Sequence, residues 1–393
     1  MNSRVPGFHR LTPEGRSTLV EKELGLTPGL LSGCCRVPED SVPASENGIG
    51  PFVLPWSITP NFRVDGLDCF VPMVTEEASV VAAASNGARL LRSWPGIVSC
   101  VPPPIATGQI QITGIADPAE RTQAGLRVVA LLPSLAALTA RSHPSLAAAG
   151  GGLRGIRFRE AAADLVILLD VDTGKAMGAN LVTALCERLA PEVQAASGGR
   201  VLLRIVSNAA ENRVVTVTGR VPTSGLDPDP RRAAVLARDV EAASRFAEAA
   251  PDRAVTHNKG IFNGIDAVLI ACGQDFRAVE AAGHAYAART GTYGPLSTWR
   301  ATAGGLEGSL ALPLAIGTVG GAIESRSGCL ASLAVLGMLE SRDAARLAAI
   351  VAATGLAQNL AALLALVGEG GLGGFRALHR RSRPSCARPP SGP

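Results

Sequence analysis

Aromatic residues are scarce in this chain of 393 residues: 9 Phe, 3 Trp and 2 Tyr make up 4% of it, while hydrophobic residues reach 47%. Most of the apolar mass is therefore Ala, Val and Leu, which favours helices that approach one another closely through small side chains. The length allows two or three domains and a sizeable core.

A large excess of charge is also absent. The chain holds 37 Lys and Arg against 33 Asp and Glu, and its net charge of +4 is matched by four arginines near the carboxyl end, Arg380, Arg381, Arg383 and Arg388. Because the rest of the chain is near neutral, we expect no basic patch and no nucleic-acid partner.

Three further absences bound the cellular setting. The eight cysteines form neither a CxxC pair nor a Cys/His cluster with zinc spacing, which favours reduced thiols in a cytoplasmic, metal-free protein. The amino end lacks the apolar run of a secretory signal. The apolar stretches 165–171 and 347–366 are too short or carry Gln358 and Asn359, so we expect no membrane span and no membrane partner.

The hydrophobic pattern predicts a helical protein with an inserted mixed module. A short helical lead-in at 1–45, strands over 52–74 and a helix over 76–91 come first. Between residues 109 and 206 strands and helices alternate, which indicates an α/β module: strands 109–113, 165–170 and 200–206, and helices 131–149 and 181–195. The later elements are a helix over 231–249, a loop over 251–259, helices over 261–272 and 276–290, a strand over 310–316 and two final helices.

Two glycine-containing segments resemble phosphate-binding loops. Residues 150–155 match GxGxxG, but they leave a predicted helix and enter a strand, the reverse of a dinucleotide-binding loop, so we interpret them as a turn. The segment 172–180 follows a buried strand and precedes a helix. Gly178 would permit close backbone approach, and free amides near Asn180 would bind a phosphate, although an ordinary strand-to-helix turn fits the spacing equally well.

Two acidic residues, Glu76 and Glu77, precede a predicted helix. Carboxylates commonly stabilise helix starts, so a structural role fits both residues. The functional alternative is a partly buried carboxylic acid that donates a proton.

Cations and a further carboxylate flank the next predicted helix. Arg253 and Lys259 are placed where they oppose the helix dipole, which is expected at an anion site, although a solvated lysine fits equally well. Asp275 follows the far end of that helix and is a candidate ion-pair partner for Lys259. A straight helix over 261–271 separates them by about 16 Å, so contact needs either loops that fold back or a site shared between two subunits.

Eight motifs occur in the order found in one enzyme family. From about residue 7 to residue 369 the chain resembles 3-hydroxy-3-methylglutaryl-CoA (HMG-CoA) reductase of the bacterial class II type. The motifs are EN-x-IG at 46–50, PMVTEEASVVAAAS at 72–85, AMGAN at 176–180, RIVSNAAENR at 204–213, DRAVTHNKGIFNGIDA at 252–267, ACGQD at 271–275, GTVGGA at 317–322 and GLAQNL at 355–360.

The resemblance implies an α+β fold in which a large α-rich domain is interrupted by a small α/β nucleotide-binding domain. The expected boundaries are 1–105 and 208–370 for the two parts of the large domain and 106–207 for the small one. The family forms dimers with interfacial sites, so a homodimer or higher oligomer is expected. Residues 371–393, rich in Arg, Pro and Ser, stand where the family has a C-terminal domain, so that domain is expected to be truncated.

The implied reaction interconverts HMG-CoA and mevalonate plus CoA by two hydride transfers with NAD or NADP. Glu77 matches the proton donor, Lys259 the cation that stabilises the oxyanion, and Asp275 the carboxylate that holds both. The matching substrate-binding positions are Ser79, Arg253, Asn208, Asn263, Glu46 and Asn47. The matching cofactor-binding positions are Met177, Gly178, Asn180 and His143.

Three positions depart from the family pattern. Lys175 stands where the family has an acid before Ala-Met-Gly. His143, close to Arg141, stands where NAD-preferring members carry an acid, so NAD and NADP are both open. Phe375 replaces the catalytic His that protonates the leaving thiolate, and phenylalanine has no proton to donate. His379, four residues on, matches a different family position.

These departures predict impaired thioester reduction by an otherwise intact substrate site. One alternative is a catalytically silent, dimeric paralogue that binds CoA esters. Another is a nicotinamide oxidoreductase that acts on an unrelated substrate.

Overall fold

The computed structural model describes residues 2–34, 52–93, 95–321 and 323–368. The predicted substrate residues Glu46 and Asn47 lie outside the described residues, as do Phe375 and His379. Helices and strands are both extensive, which confirms the predicted α+β class.

Thirteen α-helices are formed by the described residues: α1 (Pro13–Leu24), α2 (Leu30–Cys34), α3 (Ala78–Leu90), α4 (Pro118–Val129), α5 (Leu132–Ser142), α6 (Pro144–Ala148), α7 (Ala179–Ser197), α8 (Thr223–Leu226), α9 (Pro230–Ala249), α10 (Pro251–Ala271), α11 (Phe276–Ala287), α12 (Ser327–Val335) and α13 (Ala344–Val367). The same residues form ten strands: β1 (Trp56–Val64), β2 (Leu67–Val74), β3 (Val98–Cys100), β4 (Ile105–Thr113), β5 (Gly152–Ala161), β6 (Asp164–Asp172), β7 (Arg200–Val206), β8 (Val214–Pro222), β9 (Ser297–Thr302) and β10 (Gly305–Pro313).

The strands form three antiparallel sheets. β1 pairs with β2, a second sheet has the order β3-β8-β10-β9, and a third has the order β5-β6-β4-β7. One apolar cluster lies wholly between Ala106 and Val206, where α4, α5 and α7 pack on the third sheet. The main cluster draws on both flanking parts of the chain, from Phe62 to Leu363. The third sheet and its helices therefore have a core of their own, while the exact domain boundaries stay a prediction.

Close helix packing through small residues holds the main core together. At Gly87 of α3 an added Cβ would lie 2.0 Å from the carbonyl oxygen of Ala357 in α13, so no larger residue fits without a shift. At Gly264 of α10 an added Cβ would lie 2.9 Å from Gln358 on the same helix α13. The sequence-based expectation of small-residue helix packing is confirmed.

The central helix α13 is long and apolar enough to cross a membrane, and it is the only unbroken helix of that kind among the described residues. Its length and composition therefore do not exclude a span, contrary to the argument from Gln358 and Asn359. In the fold most of α13 is buried against α3, α9 and α10, as is typical of a core helix.

Two sequence predictions are wrong. Residues 251–259 are not a loop, because α10 runs without interruption from Pro251 to Ala271. The polar residues that suggested a loop, His257 and Asn258, are buried and hydrogen-bonded to the chain around Ser297. The single helix predicted over 131–149 is broken at His143, which has a ψ of 68° and precedes Pro144.

Candidate active site

Glu77 lies at the junction between β2 and α3, in the N-cap position of the helix. Its carboxylate makes no hydrogen bond to the helix backbone, so Glu77 does not cap the start of α3 as the structural alternative expected. Instead, the Ser79 hydroxyl donates a hydrogen bond to Glu77 Oε1. Ser79 is buried and Glu77 half-buried, whereas Glu76 is exposed. The neighbouring serine therefore holds the Glu77 carboxylate at the protein surface, where a substrate can reach it.

Lys259 lies in the third turn of α10 and is exposed. Asn263 follows by four residues and Asp266 by seven, so the three side chains share one face of the helix. Among the residues that the structure describes, the Lys259 ammonium has no ion pair and no hydrogen bond. The sequence argument that placed this cation at a helix start was wrong, since the helix begins eight residues earlier at Pro251.

Asp275 caps the next helix. Its carboxylate accepts a 3.2 Å hydrogen bond from the Ala278 amide and lies 3.4 Å from Arg277 Nε. The chain turns into α11 at Gly273, which has a φ of 66° and follows the end of α10. Asp275 thus caps α11, and its partner cation within the chain is Arg277 rather than Lys259.

The length of α10 keeps Lys259 and Asp275 of one chain apart. Twelve residues separate Lys259 from Ala271, a rise of about 18 Å along the axis. α11 then runs back along α10, because the ring centroid of Phe262 lies 5.1 Å from that of His284. Asp275 therefore lies beyond the carboxyl end of α10, about 18 Å along the axis from Lys259 and far beyond the ~4 Å of an ion pair.

The loop between β6 and α7 brings the predicted cofactor residues together. Gly178 has a φ of 100°, and a Cβ there would lie 2.5 Å from Thr173, so the turn requires glycine. α7 begins after it without a side-chain cap, which leaves the first amides near Asn180 free for an anion. Met177 lines a small void together with Ala179 and Asn208. Three predicted cofactor residues, Met177, Gly178 and Asn180, thus lie at one turn, and the predicted substrate residue Asn208 lines the same void as Met177.

Lys175 and the segment after β10 fix the other side of this loop. The Lys175 ammonium donates a 2.7 Å hydrogen bond to the Ser341 carbonyl, and its own carbonyl accepts one of 2.8 Å from the Thr318 amide. A Cβ on Gly317 would lie 2.2 Å from the Met177 nitrogen, so the two segments are in backbone contact. Lys175 therefore ties the loop to the segment before α13.

The remaining predicted residues lie at separate places. His143 is half-buried between α5 and α6, and its Nδ1 is 2.9 Å from the Ser142 hydroxyl. Arg253 is half-buried in the first turn of α10, and Asn263 is half-buried about three turns further on.

Arg213 is a residue of this site that the sequence did not single out. It is 3% exposed and donates three hydrogen bonds, of 2.9 Å to the Met177 carbonyl, 2.8 Å to the Pro104 carbonyl and 2.6 Å to Thr173 Oγ1. Burial lowers its pKa to about 10, although Asp172 opposes this shift. Arg213 closes the RIVSNAAENR motif, which was its only sequence signal.

Two other buried ionisable groups belong to α10. Burial lowers the pKa of His257 to about 4, and Arg253 lowers it further. Asn359 Nδ2 donates a 3.1 Å hydrogen bond to His257 Nε2, which fits a neutral imidazole. Burial and the nearby Glu280 raise the pKa of Asp266, whose Oδ1 has no hydrogen-bond partner among the described residues. No group of three or more His, Cys, Asp or Glu suited to a metal ion occurs in the described part of the chain.

Comparison with known proteins decides the family. The model of the family described as hydroxymethylglutaryl-coenzyme A reductase matches residues 15–380. The chain belongs to the HMG-CoA reductase family. Members of this family are oxidoreductases that use a nicotinamide cofactor to interconvert HMG-CoA and mevalonate plus CoA. The resemblance found in the motifs is confirmed.

Three relatives illustrate the HMG-CoA reductase likeness. The reductase of Archaeoglobus fulgidus is 39% identical over 390 residues, which are 97% of this chain and 87% of that protein. A probable reductase of Borreliella burgdorferi is 31% identical, with coverages of 85% and 76%. The class II HMG-CoA reductase of Streptococcus pneumoniae, solved bound to NADPH in open conformations, is 36% identical with a TM-score of 0.85, covering 92% of this chain and 99% of that one.

Proposed function

We propose that the chain catalyses HMG-CoA reduction at a site built from two copies of itself, with Lys259 of one copy facing Glu77 and Asp275 in a shared pocket. The separation of Lys259 from Asp275 along α10 carries this proposal, since about 18 Å of helix lies between them in one chain. The unpaired ammonium of Lys259 on an exposed helix face supports it. A homodimer with twofold symmetry would then carry two such sites.

Within this site each residue type suits its role. The Lys259 ammonium is the cation that stabilises the oxyanion of the thioester and aldehyde carbonyls as hydride arrives. Glu77, held by Ser79, delivers the proton to that oxygen. Asp275 aligns the ammonium and the carboxylic acid. Arg253 and Asn263, on the same helix as Lys259, bind the hydroxymethylglutaryl group, as do Ser79 and Asn208 and, outside the described residues, Glu46 and Asn47.

The loop before α7 fits a dinucleotide. Its glycine at 178 and the uncapped amides of α7 suit a phosphate, and Met177 and Asn180 lie at the same turn. Two molecules of the reduced nicotinamide cofactor, bound in turn, would each supply one hydride. We propose a preference for NADPH, because His143 and the exposed Arg141 offer no carboxylate to oppose a 2′-phosphate and because the S. pneumoniae enzyme was solved with NADPH. Replacing His143 by Asp should shift the ratio of kcat/KM values toward NADH.

The phenylalanine at position 375, in place of the family's catalytic histidine, limits the first of the two reductions. After hydride reaches the thioester carbonyl, the C–S bond breaks and CoA leaves as a thiolate that needs a proton. Phe375 stands where the family has the histidine for this step and has no proton to give. Reduction of the aldehyde needs no thiolate protonation and should persist. We place this chemistry in the cytoplasm, where the HMG-CoA and the cofactor are available.

Replacement of Lys259 by Ala tests the proposal. Turnover should fall by about 10²–10³-fold, as for a lost oxyanion donor, while HMG-CoA still binds in isothermal titration. Lys22→Ala, at an exposed position of α1, is the matched control and should leave turnover unchanged. Equal turnover in the Lys259→Ala variant would exclude this site and favour an unrelated oxidoreductase. Binding of HMG-CoA without turnover of either HMG-CoA or mevaldehyde in the unaltered chain would favour the silent CoA-ester-binding alternative.

A further inference from the structure

A cavity of about 410 Å³ lies at the hinge between the two apolar cores, within the size range of small-molecule sites. Both chain segments that join the third sheet to the rest of the protein form its walls, as do the cofactor loop and the first turns of α13. Its lining includes Val101, Pro102, Pro104, Gly174, Lys175, Arg213, Val215, Leu314, Ile316, Ser341, Arg342, Asp343, Ala344, Ala345 and Ala348. None of the substrate and cofactor positions proposed above is among these residues.

The charge of this hinge cavity is positive. Lys175, Arg213 and Arg342 line it, against one carboxylate, Asp343. Asp343 is already engaged, because its Oδ1 accepts a 2.9 Å hydrogen bond from the Arg346 amide as the cap of α13. The amino end of this 24-residue helix also faces the cavity through Ala344 and Ala345, which adds the positive end of the helix dipole.

Arg213 supplies the observation that points to a ligand. The residue is 3% exposed, and no carboxylate among the described residues lies within ion-pair distance of its guanidinium. Its Nε is buried and has no hydrogen-bond partner in the described part of the chain. A buried cation without a direct counter-ion is costly, and an anion in the cavity that it lines would relieve that cost.

The rest of the wall is apolar. Val101, Pro104, Val215, Leu314 and Ile316 offer hydrocarbon surface opposite the cations. A hydrated inorganic ion would leave this surface uncovered, whereas a molecule with an anionic head and a short hydrocarbon tail would match both parts.

We propose that the hinge cavity is a regulatory site for a small amphipathic organic anion, separate from the nicotinamide site. Arg213 lines this cavity and also the small void that contains Met177 and Asn208, so it separates the two spaces. An anion bound beside Arg213 acts on the same guanidinium that holds the Met177 carbonyl. Because the walls come from both sides of the hinge, the ligand fixes the orientation of the third sheet relative to α13.

Isothermal titration of the full chain with octanoate tests the site without relying on catalysis. Octanoate should bind, while octan-1-ol, which lacks the charge, and inorganic phosphate, which lacks the tail, should each bind at least about tenfold more weakly. Lys175→Gln should weaken octanoate binding by about tenfold, and Ala345→Trp, which fills the mouth of the cavity, should abolish it. Ala234→Trp on the exposed face of α9 is the matched control and should bind octanoate like the unaltered chain.

Octanoate should still bind at saturating NADPH, with its affinity changed by about fivefold or more because both ligands act on the loop that Arg213 holds. Displacement of octanoate by NADPH would show that the cavity belongs to the cofactor site and would overturn the proposal. So would absent octanoate binding, equal binding of octan-1-ol, or equal octanoate affinity in Ala345→Trp with an unchanged melting temperature. Since none of these measurements involves HMG-CoA turnover, failure of the catalytic proposal would leave their outcome unaffected.

Discussion

Arg213 Nη1 donates a 2.9 Å hydrogen bond to the carbonyl of Met177, and this contact ties the hinge of the third sheet to the loop that precedes α7. Through Nη2 the same guanidinium bonds to Pro104 on the other hinge strand and to Thr173 at the start of the loop. One buried side chain thus fixes the two hinge segments and both ends of the cofactor loop.

Replacement of Arg213 by Lys should raise the KM for NADPH by about tenfold, because one ammonium loses part of the three-way hydrogen bonding that orders the loop. The KM for HMG-CoA should change much less. Steady-state kinetics on both substrates check this. Arg159→Lys, at an exposed position of β5, is the control, and an equal KM for NADPH in the Arg213→Lys variant would contradict the assigned role.

Mevaldehyde reduction should outpace HMG-CoA reduction in the unaltered chain, because only the thioester step needs a proton for the departing thiolate. Phe375→His should raise HMG-CoA turnover by about 10²-fold and leave mevaldehyde turnover unchanged. Phe375→Asn, which adds polarity without an acid of suitable pKa, should not do so. Equal HMG-CoA turnover in the unaltered chain and in Phe375→His would show that Phe375 does not impair thioester reduction.

Protein stability should fall as pH drops from 6.5 to 4, in part because of His257. Burial holds its folded-state pKa at about 4, below the ordinary 6.5, so the unfolded state takes up the proton first. The stabilisation that comes from keeping His257 neutral is fully present above pH 6.5. About 3 kcal/mol of it is lost by pH 4. Urea titrations at several pH values measure the free energy of unfolding. In His257→Gln this free energy should change less steeply with pH than in the unaltered chain. The exposed His9→Gln control should show the same dependence of unfolding free energy on pH as the unaltered chain.

Asp266→Asn should stabilise the protein, and the gain should grow as pH rises. Burial and Glu280 raise the folded-state pKa of this carboxyl above its ordinary 3.8, so its stability contribution is greatest at low pH and is lost as pH rises. Between pH 6 and pH 8 the difference from the unaltered chain should increase by about 1–2 kcal/mol. Thermal unfolding measures it, with the exposed Asp252→Asn on the same helix as control. A constant difference across this range would refute the raised pKa.

The regular elements followed from residue periodicity wherever a face was simply apolar. Strand β7 has the predicted bounds of 200–206, α3 is shorter than predicted by two residues at its start and one at its end, and α9 begins one residue earlier than predicted. α10 was misjudged because its polar residues are buried in a network with Ser297 and Asn359, which no local pattern shows. A burial-driven interaction between distant segments overrode local propensity there.

The candidate site was predictable only as a set of motifs. Gly178 and Asn180 were recognisable because strand, glycine and helix follow one another locally. The place of Arg213 depends on contacts with Pro104 and Thr173, far from it in the sequence, so spacing carried no signal for it. The separation of Lys259 from Asp275 could be predicted correctly only with the true start and length of α10, which the local sequence pattern did not show.

Co-assembly of two inactive variants, Lys259→Ala and Asp275→Ala, tests the shared site most directly. Random pairing makes half of the dimers mixed, and each mixed dimer has one pocket with both residues intact, so roughly a quarter of the activity of the unaltered enzyme should return. The mixture should be measured for mevaldehyde reduction after joint unfolding and refolding or co-expression. Activity no higher than that of either variant alone, with mixed dimers demonstrated, would contradict a site assembled from two chains.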